Sequence, residues 1–196
     1  MVTATSPLSR QPTKLDYSSP TQFKFTIHQL PKVEFFTTSA AVPGISLNNY
    51  EQPTPFKNIP IIGDRLTYED LTISFIVDEY LENYITIHNW MTGIGFPKSR
   101  SQFTAFRNTG SNTPNSSAGG NTDIGVVGSA TDDNAFYSDA TLTILSNKNN
   151  PIVEVRYADM FPTSLSALEY NQNTSDVEYI TAEINFKYKL YEMHTL

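Results

Sequence analysis

Alternation of hydrophobic and polar residues is the clearest pattern in the chain. Apolar side chains at every second position predict strands with one buried face at residues 23–27, 71–77 and 179–190. The last segment alternates without a break over about 40 Å, roughly twice the usual strand length. An exposed edge of that length would invite aggregation. We therefore expect the C-terminal ribbon to be completed by a neighbouring subunit.

Turn-forming residues predict how these strands are connected. Residues 33–38 should form a hairpin with the first strand, Pro43-Gly44 should form a type II turn, and Gly63-Asp64 should form a second turn. Between those turns, residues 50–60 contain three prolines, which cannot donate ladder hydrogen bonds. This stretch is expected to be an edge strand or an ordered loop, and it could form an exposed flap.

The C-terminal half shows a further hairpin. Residues 140–145 and 152–157 alternate as strands, and residues 146–151 between them are almost all turn formers. Phe161-Pro162 and the polar run at 170–176 are expected to separate this hairpin from the last strand.

One segment, residues 78–91, has helical spacing. Asp78 is a candidate N-cap, Glu79 and Glu82 suit the positive end of the helix dipole, and Gly93 is a candidate stop. Trp90 is expected in the core. The residues at 3, 4 and 7 spacing that predict the buried face are Leu81, Tyr84, Ile85, His88 and Met91.

The fold class follows from these elements. We predict a mainly β protein, an antiparallel β-sandwich or barrel-type domain with one flanking α-helix. Residues 1–20 mix Ser, Thr and Pro without periodicity and should form an extended arm. Residues 21–196 should form a single domain with a polar insertion at about 97–139.

Composition narrows the possible functions. The 196 residues, 39% of them hydrophobic, suit one domain. The absence of cysteine excludes disulfides, thiol nucleophiles and thiolate metal sites. A formal net charge of −7 argues against tight binding to phosphates. No apolar run is long enough for a spanning helix, and the N-terminus has no signal-peptide pattern, so we expect a cytosolic origin and no membrane contact.

No arrangement of residues predicts an active site, a cofactor or a metal. His28 falls on a polar strand face, and His88 is expected at the edge of the helix's buried side. Asp123, Asp132 and Asp133 do not fit an EF-hand spacing. Gly93-Ile94-Gly95 lacks the third glycine of a phosphate-binding loop. We therefore predict a non-enzymatic protein.

Two motifs and the helix that follows them carry a resemblance to a known family. They are Ala41-Val42-Pro43-Gly44-Ile45, then Gly63-Asp64-Arg65-Leu66-Thr67-Tyr68-Glu69-Asp70-Leu71-Thr72-Ile73-Ser74-Phe75, then the helix from Asp78-Glu79 to Trp90-Met91. In this order they resemble the tail tube proteins of contractile-tailed bacteriophages. The resemblance covers residues 23–95 well and 140–190 more loosely. The segment at 97–139 is longer than in a plain tube protein.

The resemblance implies a structural subunit of the virion tail, assembled in the host bacterial cytoplasm. It implies stacked hexameric rings in which each subunit gives four strands to an inter-subunit barrel, and kinship with the inner tube proteins of type VI secretion. The implied partners are further copies of the chain, tail sheath and baseplate proteins, and double-stranded DNA that passes through during ejection without specific binding.

The resemblance also suggests which residues contact other subunits and which line the lumen. Arg65, Glu69 and Asp70 could form ion pairs between subunits, or could be a solvated charge cluster. Lys187 and Lys189 argue against a uniformly acidic lumen, unless they lie beyond its end. The polar strand faces predict a wet lumen lined by Thr72, Ser74, Thr181, Glu183 and Asn185, although these could equally be solvent-facing residues of a half-exposed sheet.

Two alternatives remain open at this point. A related tube-like domain could form a baseplate-proximal initiator or adaptor ring. A less favoured alternative is a virion β-module that binds a receptor or carbohydrate through the insertion and its aromatic flanks, Phe103, Phe106, Phe136 and Tyr137.

Overall fold

The computed structural model describes residues 16–28, 30, 36–95, 97–102, 137–172 and 179–196. Within these ranges the chain has nine strands and one long helix. In chain order they are β1 (Phe23–Ile27), β2 (Thr37–Ala40), β3 (Ile45–Gln52), β4 (Ile59–Tyr68), β5 (Leu71–Ile76), α1 (Glu82–Gly95), β6 (Ser138–Leu145), β7 (Pro151–Leu165), β8 (Thr181–Lys187) and β9 (Leu190–Thr195). The predicted mainly β class is confirmed.

Seven strands form one antiparallel sheet in the order β1-β6-β7-β8-β5-β2, and β9 joins it by pairing with β7. Strands β3 and β4 form a separate two-stranded sheet. Among the described strands the path of the large sheet is open, beginning at β1 and ending at β2. Within the part of the chain that the structure describes, the sheet is therefore not closed into a barrel.

Strand β7 divides the large sheet into two parts. Its first half, around residues 153–158, pairs with β6 on one side and β9 on the other. Its second half, around residues 161–165, pairs with β8. We call β1, β6, the first half of β7 and β9 the β9 half-sheet, and the second half of β7, β8, β5 and β2 the β8 half-sheet. At the junction, Asp159 has a positive φ of 52°.

A single hydrophobic core lies between the two half-sheets and α1. The Trp90 ring on α1 lies 6.1 Å from the Phe186 ring on β8, centroid to centroid. Each large apolar side chain removed from water contributes about 1.5–3 kcal/mol. The largest fully buried side chains are Trp90, Tyr157, Phe25, Phe75, Phe186, Ile27, Leu71, Ile73, Ile87, Met160 and Ile184. The prediction that Trp90 is a core residue is confirmed.

The C-terminal ribbon is not the single long strand predicted from its alternation. Strand β8 ends at Lys187, the chain bends at Tyr188-Lys189, and β9 begins at Leu190. The two strands pair with different halves of β7. The expectation that a neighbouring subunit completes the ribbon is wrong for β8, which lies between β5 and β7 of its own chain. Period-two alternation reports which face is buried but not which strand lies alongside. The longest strand is β7, with 15 residues, and it continues through Phe161-Pro162, which was expected to end it.

Two predicted turns are also wrong. Gly63 lies inside β4 at a bulge, where a Cβ atom would be 2.3 Å from the backbone oxygen of Asn48. Gly44 lacks the positive φ of a type II turn, and a Cβ atom there would be 2.7 Å from Glu69 Oε2. Close approach of another backbone segment explains Gly63, whereas the atoms near Gly44 are the end of the exposed Glu69 side chain. Residues 50–60 do contribute to an exposed hairpin, as the flap interpretation suggested.

The pairing of the N-terminal strands differs from the prediction. Strand β1 pairs with β6, and β2 pairs with β5, so residues 33–38 are not the partner of β1 where they are described. Residues 33–35 lie outside the described ranges, as do 1–15 of the arm and most of the insertion, including Phe103, Phe106, Asp123, Asp132, Asp133 and Phe136. The hairpin predicted at 140–157 is confirmed as β6–β7.

Helix α1 begins four residues later than predicted. A turn at Asp78, with Leu81 at a φ of 58°, precedes it. Asp78 Oδ1 accepts a hydrogen bond from Asn83 N (3.4 Å), so Asp78 caps from outside the helix. The buried side carries Asn83, Ile87, Trp90 and Gly93, whereas Ile85 and His88 are exposed. The apolar face was thus placed about one residue out of register.

Candidate assembly surfaces

The five predicted lumen residues lie together on one face of the β8 half-sheet. In the β5–β8 ladder, Thr72 is opposite Asn185, Ser74 is opposite Glu183, and Ile76 is opposite Thr181. Their neighbours in sequence on the same strands point into the core and are buried. The alternation therefore places these polar residues on one outward face, which we call the polar face.

Hydrogen bonds connect the side chains of the polar face. The Thr72 hydroxyl donates to Asn185 Oδ1 (2.6 Å), and Asn185 Nδ2 donates to Ser164 Oγ (2.9 Å). The Thr163 hydroxyl donates to the Asn185 carbonyl (3.0 Å). Sequence reasoning missed Thr163 and Ser164, because Phe161-Pro162 was interpreted as the end of the strand. The groups in this network are neutral and polar, and Glu183 adds an exposed carboxylate to the same face.

The two lysines that argued against an acidic lumen each have a carboxylate partner. Lys187 Nζ lies 3.4 Å from Asp70 Oδ1, and Lys189 Nζ lies 3.8 Å from Asp159 Oδ2. Both ammonium groups are about half exposed, so such pairs contribute under about 1 kcal/mol each. The ion pairs balance the charges locally. Lys187 therefore brings no unmatched positive charge to the polar face, and Lys189 lies at the β7 junction.

The predicted inter-subunit residues surround the point where β4 leads into β5. Glu69 Oε2 accepts a hydrogen bond from Gly44 N (3.2 Å), and Asp70 pairs with Lys187. Arg65 is exposed at the bulge of β4. Glu69 and Asp70 therefore have contacts within the chain. A role for the three residues between subunits stays a prediction.

The β8 half-sheet is bounded by two edge strands. Strand β2 pairs with β5, and the second half of β7 pairs with β8. Among the described strands, neither has a partner on its other side. An edge strand presents backbone N–H and C=O groups that can pair with another chain. The two edges lie on opposite sides of the same half-sheet.

The β3–β4 hairpin is exposed along most of its length, apart from the buried Gly63 and the half-buried Tyr68, and is rich in large apolar side chains. Cross-strand apolar pairs include Ile45 with Tyr68 and Leu47 with Leu66. Ile62 is 84% exposed. Monomeric proteins rarely expose contiguous apolar patches of this kind, so such a surface indicates an interaction site.

Four tyrosines hold the root of the hairpin. The rings of Tyr68, Tyr157, Tyr188 and Tyr191 lie with neighbouring centroids 5.3–5.9 Å apart. The Tyr188 hydroxyl donates to the Glu69 carbonyl (2.8 Å), and the Tyr191 hydroxyl donates to the Pro43 carbonyl (3.1 Å). This tyrosine cluster fastens both strands of the hairpin to β7 and the C-terminal ribbon.

The cluster perturbs the ionisation of its members. Burial, followed by the neighbouring Tyr188 and Tyr191, raises the pKa of Tyr157 well above its ordinary value. Burial, followed by Tyr191, raises the pKa of Tyr188 to about 12. The Tyr157 hydroxyl is buried and has no hydrogen-bond partner within the part of the chain that the structure describes.

Among the described residues, no group of three or more His, Asp or Glu side chains is placed to hold a metal ion. No helix in those ranges is long and apolar enough to cross a membrane. The features that stand out are surfaces suited to contact with other chains: two edge strands, a polar face and an apolar hairpin.

A mainly β chain with such surfaces belongs to the class of proteins that contact other chains. Comparison of the sequence with family models identifies the family. Residues 7–194 match the family model described as phage tail tube protein. The chain therefore belongs to the phage tail tube protein family, whose members are structural components of the tail. No curated protein sequence matches the chain.

Solved structures of contractile injection systems share the fold. The tube-terminating cap of the anti-feeding prophage is 13% identical with a TM-score of 0.53, covering 97% of this chain and 100% of that one. A chain of the anti-feeding prophage baseplate is 7% identical with a TM-score of 0.56, covering 93% and 97%. A chain of the PVC sheath/tube terminator is 13% identical with a TM-score of 0.50, covering 92% and 99%.

Proposed function

We propose that the chain is a ring-forming subunit of a phage tail tube, and that its copies close into stacked hexameric rings through which DNA passes during ejection. The observation that carries the proposal is the β8 half-sheet. It combines an edge strand on each side, a buried apolar face and a hydrated polar face in one subunit.

Ring closure follows from pairing unlike edges. If β2 of one subunit pairs with the second half of β7 of the next, each copy adds four strands and presents the same edge again. Such a heterologous contact forms a closed ring when the rotation between subunits closes. A closed barrel also removes both exposed edges. The polar faces would then line the inside of the ring.

The chemistry of the polar face suits passage of DNA without retention. Hydroxyl and carboxamide groups dominate it, Lys187 is matched by Asp70, and Glu183 is exposed. Strong binding to phosphates requires Lys and Arg side chains that displace counterions. A lumen of this composition would offer few such groups, and DNA could slide.

Site-directed cross-linking tests the ring. Because the chain has no cysteine, introduced cysteines report one contact without background. Chains with Ser39→Cys are mixed with chains carrying a cysteine at Thr163, Ser164 or Leu165, since paired strands bring Cα atoms within disulfide range. We expect covalent dimers at one of these three positions, and rings of uniform diameter by electron microscopy.

In the control experiment, Ser39→Cys chains are mixed with chains that carry Lys148→Cys in the β6–β7 turn. This mixture should give no dimer. Monomeric particles at all concentrations would contradict the proposal. Compact trimers without a central channel would instead favour a receptor-binding module.

A second candidate is a terminating or adaptor ring. It is suggested by the cap and baseplate chains with which this fold is shared. The two candidates differ in copy number per particle: a tube subunit recurs along the tail, whereas an adaptor occurs in one ring. Tail sheath and baseplate proteins are the proposed partners in either case. Quantitative mass spectrometry of purified particles would distinguish them.

A further inference from the structure

We propose that a groove at the end of the β8 half-sheet binds a linear polyamine, a small molecule whose ammonium groups are joined by short alkyl chains. Two tyrosines and two glutamates, Tyr170, Tyr179, Glu169 and Glu183, lie along this groove. Each chain carries the whole groove, so binding does not depend on the ring that is the proposed function.

The groove has the size and the mixed lining of a small-molecule site. Its volume is ≈ 620 Å³, and ligand pockets in proteins measure about 300–1,000 Å³. Ala167, Ile180 and Ala182 contribute apolar surface to it. The alkyl segments of a polyamine can lie on this surface while the ammonium groups contact polar atoms around it, as the two parts of a lysine side chain do.

Hydrogen bonds hold one wall of the groove in place. Ser166 N donates to the Glu183 carbonyl (2.8 Å), and Glu183 N donates to Ser166 Oγ (2.8 Å), so the chain that follows β7 stays paired with β8. The Tyr84 hydroxyl on α1 donates to the Ser166 carbonyl (3.0 Å). A wall that is already ordered loses less entropy on binding than a flexible one.

The charge of the lining favours a cation. Among the described residues, the groove carries the carboxylates of Glu169 and Glu183 and no Lys, Arg or His side chain. Neither carboxylate has an ion pair or a hydrogen bond to another described residue. Lys187, on the same strand as Glu183, is paired with Asp70. Both carboxylates can therefore accept charge-assisted hydrogen bonds from ammonium groups of a ligand.

The two tyrosines offer a second kind of contact to the same ligand. Tyr170 and Tyr179 are 69% and 79% exposed, so their rings are accessible from the groove. An ammonium group over the face of a tyrosine ring is attracted by the quadrupole of the ring. A hydrated metal ion instead requires several oxygen ligands and gains nothing from apolar surface. The combination of aromatic, apolar and acidic groups therefore favours an organic polycation.

Binding in the groove would change the charge of the polar face. Ser74, Thr181 and Glu183 line the groove and also belong to that face. An ammonium group beside Glu183 would balance the charge of its carboxylate. If the proposed ring forms, with the polar faces inside it, a bound polyamine would reduce the repulsion between the wall of the channel and the phosphates of DNA.

Isothermal titration calorimetry of the full-length chain with spermidine at low ionic strength tests the site. Glu169→Gln and Glu183→Gln should each weaken binding about tenfold, because each removes a charged acceptor. Tyr170→Leu and Tyr179→Leu should each weaken it about threefold, whereas the corresponding phenylalanine variants keep the ring and should bind like the unaltered chain. All four side chains are exposed, so thermal unfolding should show that the variants remain folded.

The matched control is Glu192→Gln, which removes an exposed carboxylate from β9 and should leave the affinity for spermidine unchanged. Equal losses in Glu192→Gln and Glu183→Gln would refute a specific site, because they would indicate general attraction to a chain with a net charge of −7. Butylamine, which has a single ammonium group, should bind at least about tenfold more weakly than spermidine.

Three further results would overturn the inference. They are the absence of spermidine binding, displacement of spermidine by an equal concentration of Mg²⁺, and tighter binding of the peptide Lys-Ala-Lys, which would identify a protein partner instead. None of these results bears on ring formation, which the cross-linking of Ser39→Cys chains measures separately.

Discussion

Lys189 Nζ lies 3.8 Å from Asp159 Oδ2, at the point where two strands change half-sheets together. Asp159 is the residue at which β7 turns from one half-sheet to the other, and Lys189 lies in the bend between β8 and β9. The Lys189 N–H also donates to the Ala158 carbonyl (3.0 Å). One polar contact and one backbone bond thus join the two bends.

The junction gives a prediction about backbone conformation. Asp159→Gly and Asp159→Ala both remove the carboxylate, but only glycine readily adopts a φ of 52°. Asp159→Ala should therefore be less stable than Asp159→Gly by about 1 kcal/mol, measured as the free energy of unfolding in urea. In the control at Thr143, in the middle of β6, the alanine variant should instead be more stable than the glycine variant. Equal stability of the two Asp159 variants would contradict the role assigned to this bend.

The bulge in β4 gives a second prediction. Gly63→Ala places a methyl group 2.3 Å from the backbone oxygen of Asn48, so β3 and β4 must separate. We expect trypsin to cleave the variant faster at Lys57, with a loss of stability of about 1–3 kcal/mol. Gly95→Ala is the matched control, because nothing lies within 4 Å of the added atom. Unchanged cleavage in Gly63→Ala would show that the bulge tolerates a side chain.

The tyrosine cluster gives a third prediction, which compares the stability of two variants that each lack one tyrosine hydroxyl group. Tyr157→Phe deletes a buried hydroxyl without a described partner and should be neutral or stabilising by up to about 1 kcal/mol. Tyr191→Phe deletes the hydrogen bond to the Pro43 carbonyl and should cost about 1 kcal/mol. Thermal unfolding measures both. A loss in Tyr157→Phe as large as that in Tyr191→Phe would indicate a partner for the Tyr157 hydroxyl.

The raised tyrosine pKa values predict a loss of stability at alkaline pH. A tyrosine whose pKa is higher in the folded state holds its proton after the unfolded chain has lost it. Its contribution is complete below the unfolded pKa of about 10 and is lost as pH rises from there through about 12, the folded pKa of Tyr188.

Urea unfolding at pH 9 and pH 11 measures this dependence. Because burial raises the pKa of Tyr157, the variant Tyr157→Phe should lose less stability over this interval than the unaltered chain. Tyr17→Phe, at an exposed position, is the control and should lose as much as the unaltered chain. Identical losses in all three chains would exclude a contribution from Tyr157.

Much of the outline of the fold could be predicted from the sequence. The alternation in residues 71–76 and 181–187 determines which side chains face the core, because a strand that buries one face must alternate. The polar residues of each strand consequently fall on that strand's outward face, and the pairing of β5 with β8 then brings the five proposed lumen residues onto one surface. The β6–β7 hairpin could also be predicted from the sequence, because its turn residues lie between two alternating segments.

Only the tertiary structure decided the partners and the bends. Tyr188 and Leu190 continue the alternation of β8, yet Lys189 lies in a bend and β9 joins another half-sheet. Phe161-Pro162 resembles a strand end, yet β7 continues through it, because at Pro162 the second half of the strand is held by pairing with β8. Strand partners are set by contacts between distant residues, and the local sequence records only the face that each residue presents.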